Sequence, residues 1–309
     1  YTEGSQMYAW PADNQLMVPR EGSDDRGITA IIARREGLSV ARQDVIYQVM
    51  GEDTNSFRLV KMKESIGVEA DDSLVVHRDT AYFLAKDGVY AWADDGIRCI
   101  SDGKVRNWFT TDTYFNRSRF RYAVGRIDFR FNKYQLFLSN VSSSDLDRWV
   151  EFDIDSNTWW GPHKTDAFTP TFATSILDTD NVLIPVIGSS SGFIWKEQDT
   201  RTDNLSTAID FDVDSKFHDG GTPDVEKLWL QPAIISKVQA AGTLTVTPKV
   251  GGLNASAGTA QSVDMTLGRQ RLARLGTGRF AQLNFRHNTV AQDLELFGYE
   301  LEFHELGRR

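Results

Sequence analysis

Apolar and polar residues alternate with a period of two along most of the chain, in short runs closed by Gly, Asp, Asn or Ser, and helical periodicity is almost absent. This pattern predicts an all-β protein built of short antiparallel strands. The stretch 81–101, AYFLAKDGVYAWADDGIRCIS, is typical. Tyr82 and Leu84 fall on one strand face, Phe83 and Ala85 on the other, and Asp87-Gly88 supplies the tight turn that sends the chain back through Val89 and Tyr90. Both faces are apolar, as expected of a strand held between two other sheets.

An aromatic-bearing strand recurs: MYAW at 7–10, DVIYQV at 44–49, GVYAWA at 88–93, RWVEFD at 148–153 and GFIWKE at 192–197. The copies starting at 44, 88, 148 and 192 are spaced by 44, 60 and 44 residues, about the length of a four-stranded blade. Such blades bury their faces only against neighbouring blades, so the aromatics are expected to serve packing. The expected architecture is a β-propeller of about five or six blades over residues 1–205, with room for an incomplete N-terminal end. A C-terminal β-sandwich is expected over 206–309, where Ile209, Phe211 and Val213 alternate with Asp210, Asp212 and Asp214. In its last strand Phe297, Tyr299, Leu301 and Phe303 share a parity that Leu294 and Leu296 do not, which predicts a bulge or bend near Gly298.

Charge and cysteine content narrow the function classes. The 309 residues carry 34 Lys plus Arg against 43 Asp plus Glu, a net charge of −9, which disfavours a generally basic grip on nucleic acid. A single cysteine, Cys99, excludes an internal disulfide and a Cys-rich zinc site, suits synthesis in a reducing cytoplasm, and reads as a small core residue. No apolar run is long enough for a membrane-spanning helix. The sequence opens on Tyr1 rather than Met, so its first residues do not fix a localisation.

Chemical motifs are weak. Gly188-Ser189-Ser190-Ser191-Gly192 matches a nucleophile pattern, but residues 193–197 read as a strand rather than a helix, so a hairpin turn is expected. Asp153-Ile154-Asp155-Ser156-Asn157 spaces oxygens like a calcium loop, yet Thr158 stands at the glycine position and Lys164 at the bidentate glutamate position. A turn capped by Trp159 and Trp160 is expected there. Asp210, Asp212 and Asp214 read as a solvated face, Gly276-Thr277-Gly278 as a loop, and His77, His163, His218, His287 and His304 show no metal-ligand spacing. No catalytic, cofactor or metal residue is nominated. The one marked charge feature is NRSRFRYAVGRIDFRFNK at 116–133. Read as strand, it puts Arg117, Arg119 and Arg121 on one face, with Arg126 and Arg130 repeating the arrangement, a candidate interface.

The run 57–105, with Ser65-Ile66-Gly67, the hairpin Tyr82 to Tyr90 and Ile100-Ser101 in that order, resembles the blades of nozzle or hub proteins at the end of phage tails. Segments 28–51, 149–161 and the FHDGGTPDVEKLW opening at 217 are similar in kind, so the resemblance touches most of the chain. It implies a non-enzymatic virion protein of the tail, a propeller with an added sandwich, assembled as a homo-oligomeric ring, usually a hexamer, around the DNA-ejection channel. Adaptor or connector proteins and tail fibres would be its partners, and DNA would pass without sequence-specific contact, which an acidic wall favours. The rival readings are a glycan-binding or glycan-hydrolysing propeller acting on host surface polysaccharide, with Trp159 and Trp160 as a sugar platform, and a monomeric scaffold that binds other proteins.

Overall fold

The computed structural model describes residues 16–19, 27–35, 37–52, 56–165, 169–197, 203–204, 207–289, 292 and 294–307. The chain forms two compact units, residues 1–197 and 198–309, so the division falls eight residues before the expected 205/206 boundary. The structure is all-β: a propeller-type series of meanders, then a β-sandwich.

The first unit holds four sheets among the described residues, each an antiparallel meander in strict sequence order. Sheet I is β1 (Ala30–Arg34), β2 (Gly37–Ala41), β3 (Val45–Met50) and β4 (Arg58–Glu64). Sheet II is β5 (Val75–His77), β6 (Thr80–Ala85), β7 (Gly88–Ala93) and β8 (Gly96–Cys99). A short helix α1 (Arg106–Thr110) lies in the connection to sheet III, which is β9 (Val124–Asp128), β10 (Lys133–Ser139), β11 (Leu146–Asp153) and β12 (Thr158–Lys164). Sheet IV has three strands, β13 (Pro170–Leu177), β14 (Leu183–Ser189) and β15 (Ile194–Lys196). The recurrent aromatic strands at 44, 88, 148 and 192 prove to be β3, β7, β11 and β15, the third strand of each sheet. The fifth copy, at 7–10, lies outside the described residues.

Sheets pack face to face, and strand parity decides which neighbour each side chain meets. Tyr82 and Leu84 enter a core shared with sheet III, while Phe83 and Ala85 enter one shared with sheet I, as the alternation predicts. The core between sheets II and III is wide and aromatic. Tyr82 stacks on Tyr134 at 5.6 Å, and Phe109 of α1 meets Phe115 at 5.8 Å and Trp159 at 6.1 Å. Two glycines allow the close approach of backbone this packing needs. A Cβ on Gly67 would collide with the Arg42 carbonyl oxygen, and one on Gly125 with the Ser73 carbonyl oxygen. Buried Ser101 accepts the Val89 N–H at 3.2 Å through its hydroxyl, and the Trp159 indole donates to the Ile100 carbonyl at 3.0 Å, tying sheet II to sheet III. The Ser-Ile-Gly and Ile-Ser motifs are therefore parts of the fold's framework.

The second unit contains a short hairpin, β16 (Asp203–Asn204) with β17 (Thr207–Ala208), followed by ten strands: β18 (Phe211–Asp214), β19 (Glu226–Trp229), β20 (Ala233–Ser236), β21 (Thr243–Gly251), β22 (Gln261–Asp264), β23 (Arg269–Arg271), β24 (Gly276–Gly278), β25 (Phe280–His287), β26 (Leu296–Glu300) and β27 (Phe303–Gly307). They form sheets ordered β18-β25-β21-β22, β24-β19-β27 and β23-β20-β26 around a core that includes Ile234, Leu244, Val246, Val263, Leu283 and Phe285. Residues 276–278 pair with β19 as a strand, not the expected loop. The predicted bulge is present: the β20–β26 register shifts between Gly298 and Leu296. Its consequence is larger than expected, because Phe297 is left 65% exposed while Tyr299 and Leu301 pack on the core. Phe303 belongs to a separate strand, against Trp229 at 5.1 Å.

Candidate functional site

Three features of the first unit carry chemistry beyond packing. The first is a cleft of about 580 Å³ at one end of sheets II to IV. A 3-10 turn, Asp71–Ser73, precedes β5; a second, Arg117–Tyr122, precedes β9; residues 169–171 lead into β13; and the β10–β11 and β14–β15 hairpins close the rim. Because every sheet is the same meander, loops in equivalent positions converge at one end. Arg119, Arg121, Asp71, Asp72 and Asp145 therefore line one space although they are distant in sequence. The Arg119 and Arg121 guanidinium carbons lie 3.9 and 4.5 Å from the centre of the Tyr122 ring. Arg119 donates to the Ser144 carbonyl at 2.8 Å and Arg121 to the Tyr122 hydroxyl, while Arg119 Nε is buried with no hydrogen-bond partner among the described residues. Burial, then the neighbouring Asp71 charge, raises the pKa of Asp72. Among the described residues neither arginine forms an ion pair with Asp72 or Asp145.

The second feature is an ionic network between sheets III and IV. Arg126, 2% exposed, donates to the Gln135 side chain at 2.6 Å, to the Val186 carbonyl at 3.3 Å and to Glu197. Arg130 binds Asp128 at 3.0 and 2.7 Å and reaches Glu197 at 3.2 Å. Gln135 and Lys133 donate to Glu151 at 2.7 and 2.9 Å. Burial pushes the Asp128 and Glu151 carboxyls up, but the Arg130 hydrogen bonds at Asp128, and the Lys133 and Gln135 contacts at Glu151, outweigh it and hold both below their usual range. His163 stacks on Trp149 at 4.9 Å, and burial lowers its pKa against the opposing Glu151 charge.

The third is the far face of sheet IV. Ala173 and Ile187 point into the core shared with sheet III, so Phe172, Ile176 and Ile194, of opposite parity, point away from it. They are 54%, 45% and 75% exposed.

These positions correct the sequence reading of 116–133. Residues 117–122 form a 3-10 turn rather than a strand, so Arg117, Arg119 and Arg121 share no strand face; Phe120 and Ala123, three residues apart, are the buried positions. Arg126 and Arg130 point into the protein as ion-pair partners, which removes both from an outward interface strip. Arg117 alone of the five is exposed without an ion-pair or cleft role among the described residues. Elsewhere, 188–192 is the β14–β15 hairpin, with Ser189 and Ser191 hydroxyls 2.9 Å apart. Asp153 accepts the Ser156 N–H at 2.9 Å in the β11–β12 turn, where Trp159 packs on Phe152 but Trp160 is 56% exposed. Asp212 accepts from Asn284 at 2.6 Å and Asp214 pairs with Lys249 at 3.1 Å, so that strand face is a solvated, charge-paired one. Cys99 is half-buried, its Sγ 3.3 Å from the Ser101 hydroxyl. Among the described residues no three His, Cys, Asp or Glu side chains gather as metal ligands, and no helix is long and apolar enough to cross a membrane.

No protein-family model and no curated protein matches the chain. Among solved structures, an exo-β-1,3-galactanase from Phanerochaete chrysosporium, determined with β-1,3-galactotriose, aligns over 88% of this chain and 80% of its own at 9% identity and a TM-score of 0.29. A glycoside hydrolase aligns over 86% and 81% at 10% identity and a TM-score of 0.26. Similarity at this level carries no statement about activity.

Proposed function

We propose that the chain is a structural, non-enzymatic subunit of a phage tail, one copy in a ring around the DNA-ejection channel that also anchors neighbouring tail components. The assembly part of this reading is carried by the outward face of sheet IV. The face-to-face junctions between sheets I, II, III and IV bury their apolar residues, whereas Phe172, Ile176 and Ile194 stand exposed on the far face of sheet IV, as Ile31 and Leu38 do on the far face of sheet I at the other end of the series. Exposed apolar side chains on a sheet face are characteristic of protein interfaces. A second copy docked head-to-tail on this face makes a heterologous contact, the type that closes into rings. The tail assignment is supported by the resemblance over 57–105, and the net charge of −9 suits a wall past which DNA slides without binding.

Labelling this chain in phage particles and imaging them tests the assignment. Label confined to the tail end supports it; particles without label, or label on the capsid shell, overturn it.

A further inference from the structure

We propose that the cleft at the end of sheets II to IV binds an acidic disaccharide made of two hexuronate-type residues, independently of the ring role. The fold leaves charge unspent at this cleft. Arg121 is exposed there, held by the Tyr122 hydroxyl, and Arg119 is fixed by Tyr122 and the Ser144 carbonyl, so both guanidinium groups are oriented without a carboxylate partner among the described residues. Oriented guanidinium groups match the planar carboxylate of a sugar acid through paired N–H donors.

On the same space, Asp72 and Asp145 present carboxylate acceptors with no cationic partner among the described residues. Sugar hydroxyls donate to such acceptors, and the Thr169, Thr171 and Ser190 side chains add hydroxyls that both give and take hydrogen bonds. Val124, Leu146 and Pro170 supply an apolar floor for the C–H face of a pyranose ring. A purely anionic ligand such as phosphate would meet repulsion from Asp72 and Asp145, and a purely cationic one from the arginines. A ligand with a carboxylate on each of two hydroxyl-bearing rings satisfies both sets. The cleft volume of about 580 Å³ lies within the usual range for small-molecule sites and exceeds the need of one sugar ring.

The test is calorimetric titration of the full chain with digalacturonate, with a neutral digalactose and a short Asp/Glu-rich peptide as comparators. Digalacturonate is expected to bind with a dissociation constant of about 1 mM or tighter, with the neutral sugar at least ~10-fold weaker. Arg121→Ala is expected to weaken digalacturonate about tenfold, the worth of one charge-assisted contact, and Asp145→Asn to weaken both sugars with an unchanged melting temperature. Equal binding of the two sugars, preference for the peptide, or no heat of binding at ~20 mM digalacturonate to a folded protein overturns the proposal. None of these outcomes touches the ring assignment, which rests on another face.

Discussion

The junction between sheets II and III and the junction between sheets III and IV join sheets of the same topology by different physics. The first is a dry core in which Tyr82, Leu84, Phe109, Tyr134, Leu136, Val150 and Phe152 interlock, with the Tyr134 hydroxyl spent on the Ser73 carbonyl at 2.8 Å. The second buries only Val124, Phe137, Leu146, Ala173 and Ile187 and relies on Arg126, Arg130, Asp128 and Glu197 for the rest. Apolar burial stabilises in any register that excludes water, whereas buried ion pairs contribute little net stability but penalise every arrangement that leaves a charge unmatched. The II/III junction thus supplies stability, and the III/IV junction fixes where sheet IV sits. That position is what presents Phe172, Ile176 and Ile194 outward.

The largest effect is expected at the aromatic junction. Tyr134→Ala, which removes a fully buried ring and its hydrogen bond, is expected to cost about 3–5 kcal/mol in denaturant unfolding. Tyr134→Phe is expected to cost about 1 kcal/mol, the worth of the hydroxyl contact alone. At the ionic junction, Arg126→Met is expected to cost about 2 kcal/mol, below the range for fully buried pairs because Glu197 is 36% exposed and water relieves part of the loss. Adding Glu197→Gln is expected to recover about half of it, a coupling that a double-mutant cycle measures. An Arg126→Met protein as stable as wild type would mean that the network orders nothing.

Acid should loosen the ionic junction, together with the surroundings of His77 in sheet II and His218 in the second unit, whose imidazoles burial also holds low. His163, Asp128 and Glu151 all have folded pKa values below their ordinary ones, so the unfolded chain binds more protons as pH falls, and folding stability declines with it. For His163 the loss begins below about pH 6.5; for the two carboxyls it begins below about pH 5 and continues through the folded values. Melting curves from pH 7 to 4 are expected to fall monotonically over this window. His163→Gln is expected to flatten only the upper part, the smallest effect in the series.

Much of this fold can be read from local pattern. Residues 81–90 alternate with both faces apolar, and that alone placed Tyr82 and Phe83 in different cores. The aromatic recurrence found the third strand of each sheet, although the copies differ in burial: β7 is buried almost throughout, whereas β15 is an edge strand with Ile194 exposed. Residues 117–122 misled because alternating Arg and aromatic residues satisfy period two, while the burial of Phe120 and Ala123 follows the period of three that a 3-10 turn imposes. The Arg126–Glu197 pair spans 71 residues and the cleft gathers loops from three sheets, so neither leaves a local pattern in sequence. The cleft's loops correspond only in the structure: the Asp71–Ser73 and Arg117–Tyr122 turns each end two residues before the first strand of successive sheets, while the unequal lengths that separate them from the third strands hide this in the sequence.

Sedimentation velocity of the purified chain and of its Ile194→Asp variant is the decisive experiment for the outward face of sheet IV. A discrete closed oligomer is expected for the wild type, and a folded monomer with an unchanged melting temperature for the variant, since Ile194 is 75% exposed and contributes little within one copy. A wild-type chain that stays monomeric at all concentrations, or a variant that assembles as the wild type does, would refute this face as the ring contact.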